Sequence, residues 1–194
     1  MSNTATENKV QFNLKNVHYA ILTEGSTNSW GTPKAVPGAV SLTLDATGSD
    51  NDFYADGVTY YKSFANNGYS GSLEMARIVD AMLKDVWGIE EGTTDKVLYE
   101  KANVEPKPFA LLFQIDGDAD EEYYCFYRCV AGRPGITGKT NTDTKEPQTQ
   151  SIDLAALPLV TGASTQVNLI KARTTKDTPT ATKTGWFTSV VVPQ

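Results

Sequence analysis

Between Val40 and Asp45 apolar and polar residues alternate without interruption, and a little further on Phe53-Tyr54-Ala55 and Val58-Thr59-Tyr60-Tyr61 flank Asp56-Gly57. Val40, Leu42 and Leu44 belong on one face of a strand; Ser41, Thr43 and Asp45 belong on the other. Asp-Gly between β-prone runs asks for a type I′ hairpin turn, because both central residues then need positive φ. This stretch is committed to antiparallel strands, at least one of them wetted on one side.

The rest of the chain repeats the theme. Val10, Phe12 and Leu14 alternate with Gln11 and Asn13, opening a strand region over 9–22. A Gly/Ser/Thr/Asn/Pro-rich loop covers 24–37, and Asn66-Asn67-Gly68 marks a turn before a strand over 70–75. A weak strand is expected at 96–100, and strong strands at 109–115 and 122–130, joined around Asp116-Gly117-Asp118. Later strands are expected at 148–157, 166–173 and 185–192.

One helix interrupts them. Val79, Met82, Leu83, Val86 and Trp87 fall at helical spacing and form one apolar stripe, the expected packing face. Asp80 suits the first turn, and Gly88 suits the position just past the end. The fold class is therefore mainly β: a β-sandwich or barrel with one short flanking α-helix at about 79–87 and extended loops. Residues 1–8 read as a flexible arm, residues 9–194 as one domain, and about 132–147 as an extended loop or arm.

Composition narrows the function. The 194-residue chain has a formal net charge of −6. That disfavours a duplex-gripping protein, which neutralises phosphates with Lys and Arg. Aromatics are not interleaved with basic residues, as they would be on a single-strand platform. The opening MSNTATENKVQF lacks the apolar core of a signal peptide, and no apolar run is long enough to span a bilayer. Cys125 and Cys129 lie about 13 Å apart if extended, too far for a disulfide, and are expected to be reduced.

Catalytic and metal motifs fail on inspection. His18, the single histidine, sits in an apolar strand with no Gly-x-Ser-x-Gly elbow elsewhere. Asp116, Asp118 and Asp120 begin like a calcium loop, but Glu121 and Tyr127 stand where Gly and Glu are required. The run from Gly132 to Thr140 is misspaced for a phosphate-binding loop, and the polar stretch from Asn141 to Pro147 cannot make the helix that motif needs. The cysteine pair lacks zinc spacing and partners. No enzyme, cofactor or metal is expected.

Several segments carry a resemblance. Val40-Ser-Leu-Thr-Leu-Asp45, Phe53-Tyr-Ala-Asp-Gly57 and Ala65-Asn-Asn-Gly-Tyr-Ser-Gly71 resemble the major tail proteins of siphophages infecting Gram-positive bacteria. Lys15-Asn-Val-His-Tyr-Ala20, Lys107-Pro-Phe-Ala-Leu-Leu112 and Glu146-Pro-Gln-Thr149 look like the same family. The likeness runs over about residues 9–157 and fades after Leu159.

The resemblance implies a tail tube subunit of the virion, made in the host cytoplasm. Six copies would form a ring, rings would stack, and phage DNA would pass through the lumen without specific binding. Tape-measure, tail terminator and distal tail proteins would be partners. An acidic bore would repel DNA, and Asp45, Asp52, Asp56 and Glu74 are the lumen candidates. Stacking would fall to residues 1–8, 45–53 and 132–147. Two other readings stand beside it. One is a tail terminator or other injection-machine ring. The other is a carbohydrate-binding β-sandwich that stacks sugars on Trp30, Tyr54, Tyr60 and Tyr61.

Overall fold

The computed structural model describes residues 7–140 and 146–193. Its main sheet is antiparallel throughout and follows the order β2-β1-β10-β11-β12-β7-β4. The strands are β1 (Gln11–Thr23), β2 (Ser29–Trp30), β3 (Lys34–Ala35), β4 (Ala39–Thr47), β7 (Gly68–Met75), β10 (Phe109–Gly117), β11 (Glu121–Ala131), β12 (Gln150–Ala156) and β13 (Lys171–Arg173). β3 pairs with β1, and β13 shares an edge of β11 with β12. Two small hairpins stand apart: β5 (Asp50–Ala55) with β6 (Val58–Phe64), and β8 (Glu90–Glu91) with β9 (Leu98–Tyr99). The protein is mainly β, as its alternating sequence requires.

The sheet rolls so that β1 approaches β4. Leu14 on β1 and Leu42 and Leu44 on β4 pack on the same apolar cluster as Leu73, Phe109, Leu111, Phe126 and Ile152. Helix α1 (Asp80–Trp87) covers this cluster. Met82, Val86 and Trp87 are buried in it, and Val79 and Leu83 pack at its margin. Val79 is the N-cap, so the helix starts one residue past it without a side-chain cap. Gly88, at φ 62°, ends it by donating its N–H to the Leu83 carbonyl. A Cβ there would lie 2.5 Å from Val104, so the position is closed to other residues by space as well as by conformation.

The helix is also tied down by polar groups. Tyr19 donates its hydroxyl to Asp85 (2.8 Å), and Lys34 reaches the same carboxylate (2.6 Å). Burial alone would push the Asp85 carboxyl up, but these partners hold it below the usual range. The Trp87 indole donates to the Gly132 carbonyl (2.9 Å), leaving no buried polar cost for the ring.

The opposite face of β1, β10 and β11 holds a second cluster: Ala20, Leu22, Leu112, Cys125, Tyr127, Leu159 and Trp186. Its cover is the C-terminal segment, and here two sequence expectations are corrected. The strand expected at 185–192 does not form. Helix α2 (Thr180–Gly185) occupies its start, and Val190–Val192 pack on the sheet without joining it. Tyr127 fixes that segment by donating its hydroxyl to the Val191 carbonyl (2.7 Å). The β-prone valines are thus satisfied by apolar burial rather than by pairing.

Of the strand expected at 166–173, only Lys171–Arg173 forms. The Gln166 side chain is buried, accepts from the Asn28 N–H (2.9 Å) and donates to the Asn28 carbonyl (3.1 Å). With its side chain held by these two hydrogen bonds, the backbone here turns, Leu169 donating to the Gln166 carbonyl (3.1 Å), and Asn168 takes the left-handed conformation.

Two bulges redirect side chains that simple alternation would have placed elsewhere. A register shift between Ala39 and Ser41 turns Val40 outward, where it is 53% exposed, while Leu42 and Leu44 stay inward. On β11 an extra residue opposite Phe109–Leu111 sends Cys125 and Cys129 to opposite faces of the sheet. Both thiols are free, and their side chains lie in different apolar clusters. Burial pushes the Cys129 thiol up to about 12 and Cys125 upward as well, so neither is a reactive thiolate.

Of the arm expected at 1–8, only residues 7 and 8 are among those described. Asn8 is clamped: it accepts from the N–H groups of Ala119 (3.0 Å) and Asp120 (2.8 Å) and donates to the Asp120 carbonyl (2.9 Å). Of the arm expected at 132–147, residues 141–145 lie outside the described residues. Residues 132–140 carry no regular structure, and Ile136 is almost fully exposed.

Candidate functional site: an acidic sheet face and an exposed hairpin

The outward residues of β4, β7 and β12 form one polar surface. β4 contributes Ser41, Thr43 and Asp45; β7 contributes Ser70, Ser72 and Glu74; β12 contributes Ser151 and Asp153. Their inward neighbours Leu42, Leu73, Ile152 and Leu154 fill the core, so strand periodicity forces the polar set outward.

The pairing separates the carboxylates. Asp45 stands opposite Ser70, Asp153 opposite Ser72, and Glu74 between Ser41 and Ser151. Each acid thus faces a hydroxyl rather than another acid, which avoids the direct cross-strand repulsion of like charges. None of the three strands contains Lys or Arg. Glu74 accepts from Thr149 (2.5 Å) and Ser41 (3.0 Å), and those bonds, Thr149 first, hold its carboxyl below the usual range. β4 ends the sheet and, among the described residues, pairs only with β7, which leaves its other edge open there.

The structure brings Asp45 and Glu74 together on this face and places Asp52 and Asp56 on the β5–β6 hairpin instead. Asp153 belongs with the first pair. The alternation Ser151-Ile152-Asp153-Leu154 already pointed it outward, but only the register with β7 sets it beside Glu74 and Asp45.

The hairpin is the second feature. Asp56 (φ 53°) and Gly57 (φ 78°) make its turn, both in the left-handed region. A bulge near Tyr60 puts Phe53, Tyr60 and Tyr61 on one side, with the Phe53 and Tyr60 rings edge to face at 6.5 Å. The other side carries Lys62, paired with Asp50 (2.7 Å) and Asp52 (3.2 Å). At its root Ala65 donates to Ser49 (2.9 Å) and Asn67 to Thr47 (2.9 Å), so the hairpin continues the β4–β7 ribbon outward. A Cβ at Gly48 would come 1.9 Å from the Ala65 carbonyl oxygen, and the two chains can run this close only with glycine there.

Beside β4 lies a third feature, a cleft of about 490 Å³ between β1 and β4. Leu14, Leu42, Leu44, Phe113 and Ile115 line it, with Phe12 and Lys171 at the rim.

The chemical motifs resolve into structural contacts. His18 stacks on Phe187 (4.5 Å between centroids), and its Nδ1 lies 2.8 Å from the Asn16 carbonyl oxygen. Asp116 pairs with Lys15, Asp120 pairs with Lys183, and Asp118 accepts from the Lys9 backbone (2.7 Å). Among the described residues no group of His, Cys, Asp and Glu is arranged to hold a metal ion. Among them also, no helix is long and apolar enough to cross a membrane.

Acid should weaken this fold in a defined window. Glu74 is held low by hydrogen bonds. Burial pushes Glu122 up, but bonds from Tyr124 and Asn8 leave it lowered, and the Lys9 N–H lowers Asp118. Carboxyls with depressed folded pKa stabilise above their unfolded values, and that contribution is lost as pH falls through the folded ones. Melting temperature should therefore hold from neutral pH to about 5 and drop below about 4.5. Scanning fluorimetry across pH checks it, and Glu74→Gln should make the acid limb shallower.

No family model matches the chain, and no curated protein matches it. Among solved structures the chain is similar to the cryo-EM structure of the anti-feeding prophage cap, described as the AFP tube terminating cap. The identity is 15% and the TM-score 0.40, over 90% of this chain and 99% of that one. That likeness is too slight to argue from.

Proposed function

We propose that this chain is the structural subunit of a bacteriophage tail tube, without catalytic chemistry, in which hexameric rings stack around a DNA-conducting bore. The observation that carries the reading is the face of β4, β7 and β12: hydroxyls and carboxylates dominate it, with no Lys or Arg, beside a β4 edge left unpaired among the described residues. A wall that DNA must slide along needs fixed negative charge and no cationic anchor, the reverse of a counterion-releasing grip. An unpaired strand edge is a hazard in a monomer and is removed when neighbours join their sheets around a closed barrel. Asp45, Glu74 and Asp153 face the bore in this reading, with Asp52 and Asp56 on the projecting hairpin. The segments that resemble siphophage major tail proteins agree with this reading.

Negative-stain microscopy of the purified protein at rising concentration tests it. Long hollow tubes are the expected result. Single closed rings would favour a tail terminator over a tube subunit, and a protein that stays monomeric throughout would overturn both.

A further inference from the structure

We propose that the β5–β6 hairpin of one copy seats its aromatic side in the β1–β4 cleft of a second copy, a head-to-tail contact. The inference rests on the reading of this chain as a self-assembling subunit and names the surfaces that meet.

The hairpin is well formed, and its strands pair only with each other among the described residues. Phe53, Tyr60 and Tyr61 are 59%, 73% and 62% exposed on one side of a ribbon whose turn and root are already fixed by hydrogen bonds and glycines. A preorganised element of this kind loses little entropy on docking. Each aromatic can bury ~150–250 Å², so these three, about two-thirds exposed, offer roughly 300–500 Å². A standard interface takes about 800 Å² from each partner, which leaves the remainder to the open β4 edge.

The cleft is the complementary shape. Its volume lies within the ~300–1,000 Å³ of pockets that enclose a small ligand, enough for one or two rings. Phe12 stands at its rim 69% exposed, an apolar side chain with nothing over it. Charge agrees: the hairpin bears Asp50, Asp52 and Asp56 against Lys62 alone, and the cleft rim bears Lys171. The Lys171 ammonium lies 4.6 Å from the Tyr69 ring centre and has no carboxylate partner among the described residues.

Two alternatives fit less well. The hairpin runs on from the end of the β4–β7 ribbon, and none of its residues lines the cleft of its own copy. A symmetric hairpin-to-hairpin contact would set like charges against each other. A heterologous contact, by contrast, propagates and closes into a ring when the rotation allows.

Two full-length variants test it by sedimentation velocity. Phe53→Ser/Tyr61→Ser spoils the hairpin and leaves the cleft. Phe12→Glu/Lys171→Glu spoils the cleft rim through two exposed side chains and leaves the hairpin. Each variant alone should associate at least about a hundredfold more weakly than the parent. Mixed in equal amounts they should form heterodimers and nothing larger, since only one intact hairpin and one intact cleft can meet. A cleft variant that assembles as readily as the parent would assign the aromatic side to another partner and overturn the proposal, as would a mixture that stays monomeric. Should the parent form head-to-tail dimers or open chains but never tubes, with the mixture behaving as expected, this contact stands and the tube reading falls. Tubes from both the parent and the cleft variant give the converse.

Discussion

Trp186→Ala lowers stability by about 3–5 kcal/mol, the usual cost of emptying a large buried aromatic site. Trp186 is buried in the second apolar cluster, against Tyr123 at 6.2 Å between ring centres. Its indole N–H donates to the Tyr124 carbonyl (3.2 Å), a bond the alanine cannot replace. The loss is a large share of the ~5–15 kcal/mol that holds a domain together. It should also loosen the C-terminal cover, whose other polar attachments include Tyr127 to Val191, Lys183 to Asp120 and Gln166 to Asn28. Urea unfolding followed by fluorescence checks it, with Val160→Ala as the control, an exposed position expected to change stability by no more than about 0.5 kcal/mol. A shift below about 1 kcal/mol for Trp186→Ala would mean that the C-terminal segment is not part of the cooperative core.

Reversing the charge of the acidic face should turn a surface indifferent to DNA into one that grips it. Asp45→Lys, Glu74→Lys and Asp153→Lys together replace three outward carboxylates on adjacent strands with three ammonium groups. Repeated around a ring, those lysines contact enough phosphates for affinity to fall about 10³-fold or more between 50 and 200 mM salt. The measurement mixes monomer with short duplex before assembly, so that the wall closes around it, and then follows retained DNA as salt rises. The parent should retain none. Asp45 and Asp153 are exposed, so their reversal leaves the fold nearly untouched, while Glu74 gives up two hydrogen bonds. Assembled variant that ignores DNA would remove this face from the bore.

Local chemistry made much of the fold legible. Asp56-Gly57 specified its own turn, because few other pairs tolerate positive φ twice. The stripe from Val79 to Trp87 specified a helix with an inner face, and Gly88 its end. What could not be read depended on partners distant in sequence. Val190–Val192 look the same whether they pair as a strand or merely lie on one, and only Tyr127 and Trp186 decide between them. Alternation put Val40 on the face of Leu42 and Leu44; that placement fails at a bulge, which inserts one residue and shifts the faces to either side of it.

The candidate surface divides the same way. Asp45 and Glu74 followed from alternation, since each shares a strand with inward leucines. Asp153 needed the β7–β12 register, and Asp52 and Asp56 left the face because the hairpin leaves the sheet at Gly48. The cleft was invisible in sequence, for it exists only where the rolled sheet brings β1 near β4.

The most direct test is where the three carboxylates stand in the assembled particle. A cryo-EM reconstruction of tubes grown from the pure protein should show six copies per ring with Asp45, Glu74 and Asp153 lining the inner wall. Finding that sheet face on the outer wall, or packed dry between subunits, would contradict the account.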